Sequence, residues 1–88
     1  MRRYYIIFKG RVQGVGFRGT AMMSARRNSL TGFVRNRDDG SVECEIQGED
    51  TDQFLQDIMR NDRYIRIDDY HIKEIPLIET EREFKVRF

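Results

Sequence analysis

One cysteine, one histidine and one proline occur in 88 residues, and the charges nearly cancel, at a formal net +1. Each shortage removes a class of explanation. A lone Cys44 cannot close an internal disulfide, which agrees with a reducing compartment, so the expected location is the cytoplasm. It falls between Val42 and Ile46 at an alternating apolar position, so core packing is expected of it rather than reactivity. His71 and Cys44 fall short of a zinc-ligand set, and neither a metal nor a cofactor is expected. A balanced charge supplies no general field for a nucleic acid or a membrane surface. No apolar run approaches the roughly 20 residues that span a bilayer, and no signal-like segment precedes the first apolar stretch. What remains is a chain with 39% hydrophobic and 35% charged residues. That composition fits a single globular domain over residues 1–88 with a limited core.

Residues 10–18 read Gly-Arg-Val-Gln-Gly-Val-Gly-Phe-Arg and lie between a strand-like run and a helix-like one. Glycines in such a place often serve a turn and nothing more. Here Gly14 and Gly16, lacking Cβ, can take positive φ and turn several N–H groups into one concavity. The helix start just beyond adds unpaired N–H donors and a partial positive charge. Arg18 adds a planar fork of donors matched to phosphate. Together they form a candidate phosphate pocket. No Gly-Lys-Ser/Thr follows, so it is not a Walker loop, and no third glycine completes a dinucleotide fingerprint.

The rest of the chain alternates between two periods. Tyr4 to Phe8 is β-branched and aromatic, a first strand expected inside a sheet. From Phe17 to about Asn28 the spacing is helical, with Ala21, Met22 and Ala25 on one face, Arg26 and Arg27 pointing away, and Asn28 suited to the left-handed end. Met22 and Met23 are expected to fill the core. Leu30 to Arg37 alternates, Asp39-Gly40 is a strong hairpin signal, and Ser41 to Gln47 alternates again, with Val42, Cys44 and Ile46 inward and Glu43 and Glu45 outward. Asp50 and Gln53 resemble a capping box ahead of a second helix, whose stripe is Phe54, Leu55, Ile58 and Met59 and which ends near Asn61. Ile65 to Ile75 reads as a fourth strand, with Ile67, Tyr70 and Ile72 inward and His71 solvated. Pro76 ends it. Residues 77–82 form a linker and Phe84 to Phe88 a short last strand. The order β, α, β, β, α, β plus that strand predicts an α+β, ferredoxin-like sandwich: an antiparallel sheet with both helices on one face. No helix has a second apolar face, so a monomer is expected.

That plan hosts many functions, and the site has to decide. Asn36, near the end of the second strand, reads as a turn residue unless the hairpin brings it beside the glycine loop. At this point the sequence resembles the acylphosphatase family. The resemblance rests on Gly10 to Arg18, on Leu30-Thr31-Gly32-Phe33-Val34-Arg35-Asn36, on Asp39-Gly40-Ser41-Val42-Glu43, and on the spacing from Arg18 to Asn36. It extends to Glu74-Ile75-Pro76 and to the Phe-x-Val-Arg-Phe end. It implies hydrolysis, without a metal, of small-molecule acyl phosphates to a carboxylate and inorganic phosphate. It also implies that the backbone amides of Gln13, Gly14, Val15, Gly16 and Phe17 and the side chain of Arg18 hold the phosphate, and that Asn36 positions the attacking water.

Some positions depart from the family's commoner pattern. Asn28 and Ser29 stand where a glycine usually ends the first helix, Phe33 replaces a usual tryptophan, and Gly19-Thr20 puts small residues in the first helical turn. Arg18 and Asn36 are retained, so the reaction type is unaffected. Three other functions share the plan. RNA-recognition domains stack bases on central-strand aromatics, but here the third strand presents Glu43 and Glu45. A dimeric small-ligand regulatory domain leaves Arg18 unexplained. A carbamoyl-phosphate-handling domain of hydrogenase maturation proteins has a similar sequence, normally within a much larger chain.

Overall fold

The computed structural model describes residues 1–60 and 62–88. Strand β1 (Arg2–Arg11) is followed by helix α1 (Phe17–Arg27), the hairpin β2 (Thr31–Asn36) and β3 (Val42–Gly48), helix α2 (Thr51–Met59), and strands β4 (Arg66–Ile75) and β5 (Phe84–Arg87). The sheet order is β4-β1-β3-β2-β5. The first four of these pair antiparallel, and β5 joins the far edge parallel to β2. This is the ferredoxin-like plan read from the periodicity, with a parallel strand added. β1 outruns the apolar stretch from Tyr4 to Phe8 because it lies inside the sheet. Its polar ends stay paired, Arg2 with Gly48 and Arg11 with Arg66.

Strand alternation assigns the faces. Ile6, Phe8, Val34, Val42, Cys44, Ile46 and Phe84 point to one side, where they meet Phe17, Ala21 and Ala25 of α1 and Phe54 and Ile58 of α2. Burial pushes the Cys44 thiol well above its ordinary value, so it stays protonated among apolar neighbours. Met22 packs against this core, whereas Met23 is 65% exposed and fills nothing. Tyr70 and Ile72 pair with Phe8 and Ile6 and so share the helix-facing side. They are nevertheless exposed, with only Ile67 of the three buried. β4 is an edge strand, and the most extensive packing of the helices on the sheet is against β2, β3 and β5.

Glu43 and Glu45 lie on the opposite face, as the alternation requires, but they are covered there. Tyr5 Oη donates to Glu43 at 2.7 Å, and Arg35 forms an ion pair with the same carboxylate. Arg3, 1% exposed, donates from Nε and Nη2 to Glu45 at 2.9 and 2.7 Å, and from Nη1 to Glu81 at 2.7 Å. Gln47 fixes the same segment, donating to the Ile78 carbonyl at 2.9 Å and accepting from the Ile78 N–H at 2.8 Å. The stretch read as a linker, residues 77–82, is thus pinned across this face on its way from one sheet edge to the other. Burial alone would raise Glu81, yet the hydrogen bonds from Arg3 win and hold its carboxyl below its ordinary value.

Two helix ends differ from expectation. α2 has no capping box: the Asp50 side chain makes no cap hydrogen bond, and Gln53 turns instead to Asp57, with Nε2 donating at 3.0 Å. Asn61, expected at the end of this helix, lies outside the described residues. α1 ends in a Schellman arrangement, with the Leu30 N–H on the Ala25 carbonyl at 2.8 Å and the Ser29 N–H on Arg26 at 3.1 Å. The left-handed residue is Ser29, at φ 58°, not Asn28, whose φ is −96°. Asn28 instead uses its side-chain amide to cover the Ser24 carbonyl at 2.8 Å.

A Cβ in the left-handed region is strained, so Ser29→Gly is expected to stabilise the fold by about 1 kcal/mol. A urea midpoint that falls or stays fixed would contradict this. Asp57 carries the helix–helix contact, accepting from Ser24 Oγ at 2.7 Å, Arg27 Nη2 at 2.8 Å and Asn28 Nδ2 at 3.3 Å. The Arg27 guanidinium, then Ser24 and Gln53, hold this carboxyl well below its ordinary 3.8. A depressed folded-state value makes the stabilisation complete above the ordinary range and lost as pH falls through the folded value. Asp57→Asn should cost about 2 kcal/mol at neutral pH. The gap from wild type should narrow from about pH 4 to about pH 2. Paired urea titrations across that range check it.

Candidate active site

At Gly10 the β1–β4 register shifts, forming a bulge. Gly10 has φ +132°, and a Cβ there would lie 2.2 Å from the Arg66 carbonyl oxygen, so no larger residue fits. The chain then leaves the sheet and curls through residues 12–16. Gly14 and Gly16 have φ +72° and +82°. Gly16 is the N-cap of α1, no side chain caps that end, and no acid lies in the first turn. Among the described residues, the N–H groups of Gln13 to Phe17 donate no hydrogen bond. The loop therefore presents free donors at the positive end of a helix.

Arg18 stands in the first turn of α1, half-buried, with its guanidinium carbon 4.8 Å from the centroid of the Phe88 ring. Asn36 is the last residue of β2. The register Phe8–Val42–Asn36 places it in the sheet row where the pairing of β1 with β3 ends. Alternation from Val34 directs it to the helix side, where α1 begins. Its Oδ1 is buried and accepts no hydrogen bond among the described residues. Asn36 and Phe88 line one cleft of about 490 Å³, together with Arg35, Arg37, Asp38 and Asp39.

The hairpin meets the loop through a side chain, one residue beyond Asn36. Gln13 Nε2 donates to the carbonyls of Arg37 at 2.7 Å and Ser41 at 2.8 Å, the two ends of the β2–β3 turn. From the sequence, only the backbone amide of Gln13 is expected to take part. Nothing in a one-dimensional pattern distinguishes a loop glutamine that points to solvent from one that bridges to another turn. The turn is itself tied, Arg37 N–H to Ser41 carbonyl at 2.8 Å. Asp39 accepts from Ser41 Oγ at 2.5 Å and Ser41 N–H at 3.0 Å, which holds its carboxyl below its ordinary value. Asp39 is thus occupied in the turn. His71 is exposed, 3.5 Å from Asp69. Among the described residues, no three His, Cys, Asp or Glu side chains come together in a metal-binding group. Among them too, no helix is long and apolar enough to cross a membrane.

The fold is a small α+β sandwich that carries a glycine loop, an uncapped helix start, Arg18 and the buried amide oxygen of Asn36. Comparison with known proteins supplies its family. The acylphosphatase family model matches residues 4–86. An acylphosphatase of Clostridium acetobutylicum is 42% identical, over 98% of this chain and 97% of its own. One of Bacillus licheniformis is 40% identical over the whole of both chains. The crystal structure of acylphosphatase from Bacillus subtilis superposes with a TM-score of 0.92 at 34% identity, each chain fully covered. The chain belongs to the acylphosphatase family, and its activity is that of an acylphosphatase, acting on small-molecule acyl phosphates.

If Gln13 fastens loop to hairpin, Gln13→Ala should lower stability by about 1–2 kcal/mol, the usual worth of one to two partly buried hydrogen bonds. Amide hydrogen exchange at Arg37 and Gly40, whose bonds close this turn, should quicken. Unchanged exchange at both would show that the turn does not depend on the clamp.

Proposed function

We propose that the Gln13, Gly14, Val15, Gly16 and Phe17 amides and the Arg18 guanidinium bind the phosphoryl group of an acyl phosphate, and that Asn36 orients the water that attacks it. The observation that carries this reading is the Asn36 side chain. A buried amide oxygen without a protein donor is costly unless something else donates to it. A water molecule is a suitable donor, and Asn36 sits in the cleft beside the ring on which Arg18 rests.

The chemistry fits these groups. The leaving group is a carboxylate, already a weak base, so no general acid has to protonate it. Asn36 cannot remove a proton near neutral pH. It can fix a water by accepting one hydrogen bond and donating another. The water's proton then passes to a phosphate oxygen. As the bond to the carboxylate lengthens, charge on the equatorial oxygens is met by preorganised N–H groups and by Arg18. These donors and the positive helix end supply the charge stabilisation with no metal called for. Action as a monomer is the reading that the single apolar face of each helix supports. A single thiol, buried in the core, suits the reducing cytoplasm.

The test is phosphate release from acetyl phosphate and benzoyl phosphate in excess chelator, for wild type, Arg18→Gln and Asn36→Ala. Losing one donor to the developing charge typically costs on the order of 3 kcal/mol, so Arg18→Gln should fall about 100-fold or more in kcat, and Asn36→Ala, which loses the positioned water, should fall by about 100-fold as well. Circular dichroism should show both folded. A folded Arg18→Gln variant with wild-type turnover would refute the assignment of Arg18, and an active Asn36→Ala variant that of Asn36.

A further inference from the structure

β2 and β5 run parallel, with Val34 opposite Val86. Both valines face the helices. Two residues on in each strand direction the same register brings Phe88 beside Asn36. The cleft confirms it, since both residues line the same space. Phe88 is 98% exposed, and the Arg18 guanidinium lies 4.8 Å from the centre of its ring. The other lining residues are Arg35, Asn36, Arg37, Asp38 and Asp39, so Phe88 is the single apolar side chain there among the described residues. Charges in the lining are two of each sign. They give a substrate's acyl group no net field to follow, and the aromatic surface is what remains to recognise it.

We propose that Phe88 forms the acyl subsite of this enzyme, and that it favours acyl phosphates whose acyl group is a flat aromatic or extended apolar unit over small ones such as acetyl. The inference rests on Arg18 and Asn36 holding the phosphoryl group and its attacking water. A phosphoryl group bound between the loop and Arg18 leaves its acyl portion to project into the cleft toward the ring. The Arg18 guanidinium lies over one part of that ring. The open part can stack on an arene with offset or edge-on geometry. An acetyl methyl is too small to gain much from the same surface.

The experiment compares kcat/KM for benzoyl phosphate and acetyl phosphate in wild type, Phe88→Ala, Phe88→Tyr and Arg18→Gln. Because Phe88 is exposed, its variants are expected to fold. Phe88→Ala should lower the benzoyl-to-acetyl ratio about threefold to tenfold, mostly through KM for benzoyl phosphate, as lost aromatic stacking implies. Phe88→Tyr keeps the ring and should hold the ratio within about twofold. Any general effect of losing the ring beside Arg18 falls on both substrates and cancels in the ratio. An unchanged ratio in Phe88→Ala, or an equal loss on both substrates, overturns the subsite. Arg18→Gln separates the two levels. If it collapses both activities while Phe88→Ala leaves the ratio intact, the acyl subsite alone is wrong. If it spares both activities, the phosphate-site reading fails and the subsite with it.

Discussion

The arrangement turns on a buried charge. Arg3 is almost wholly withdrawn from water, so its guanidinium has to find its partners inside the protein. It finds them in Glu45 on the neighbouring strand and in Glu81 on the segment that crosses the face away from the helices. Leaving such a charge without one of its partners typically costs about 3–5 kcal/mol, a large share of what holds an 88-residue domain together. The crossing has to be secured because β4 and β5 lie at opposite edges of the sheet. Arg3 and Gln47 therefore govern where β5 arrives. β5 in turn delivers Phe88 to the cleft that Asn36 lines. An ionic contact at one end of β1 thus supports the geometry at the other.

The proposed site needs few groups because the reaction is chemically easy at the leaving end and demanding in charge. The fold meets that demand mostly with backbone. A strand that bulges at Gly10, a loop with two left-handed glycines and a helix without a side-chain cap set donors at one point without spending side chains on it. The side chains proposed to take part are held by different elements, Arg18 by α1 and Asn36 by β2. Their relation depends on the Gln13 clamp and on strand register, not on local sequence.

This division explains what could be read beforehand. Periodicity located the helices and strands, because most of them bury one face and the alternation of Val42, Cys44 and Ile46 or the spacing of Ala21 and Ala25 records that directly. The Asp39-Gly40 turn fixed the hairpin, and with it the sheet row of Asn36. Polar contacts across the chain left no such record. Arg3 looks like any arginine near a strand end, Gln13 like any loop glutamine, and Gln53 like a capping residue when it serves Asp57. Tyr70 and Ile72 have the correct alternation and still lie open, because periodicity gives a face but not the width of the layer above it. Asn28 has the composition of a left-handed cap, yet its side chain was taken up by the Ser24 carbonyl and Ser29 bears the strain.

The crossing segment also carries a consequence in time. Arg3 and Glu81 are separated by 78 residues, and β1 gains its outer neighbour only when β4 has formed. During synthesis β1 can pair with β3 early, but its other edge stays open until the second half of the chain has emerged. A sheet joined by such distant partners folds slowly for its size, since loop closure is completed before those contacts stabilise anything. The delay falls on the most apolar strand in the protein, from Tyr4 to Phe8. The nascent chain is therefore most prone to sticking to its neighbours while its first strand waits for partners that are made much later.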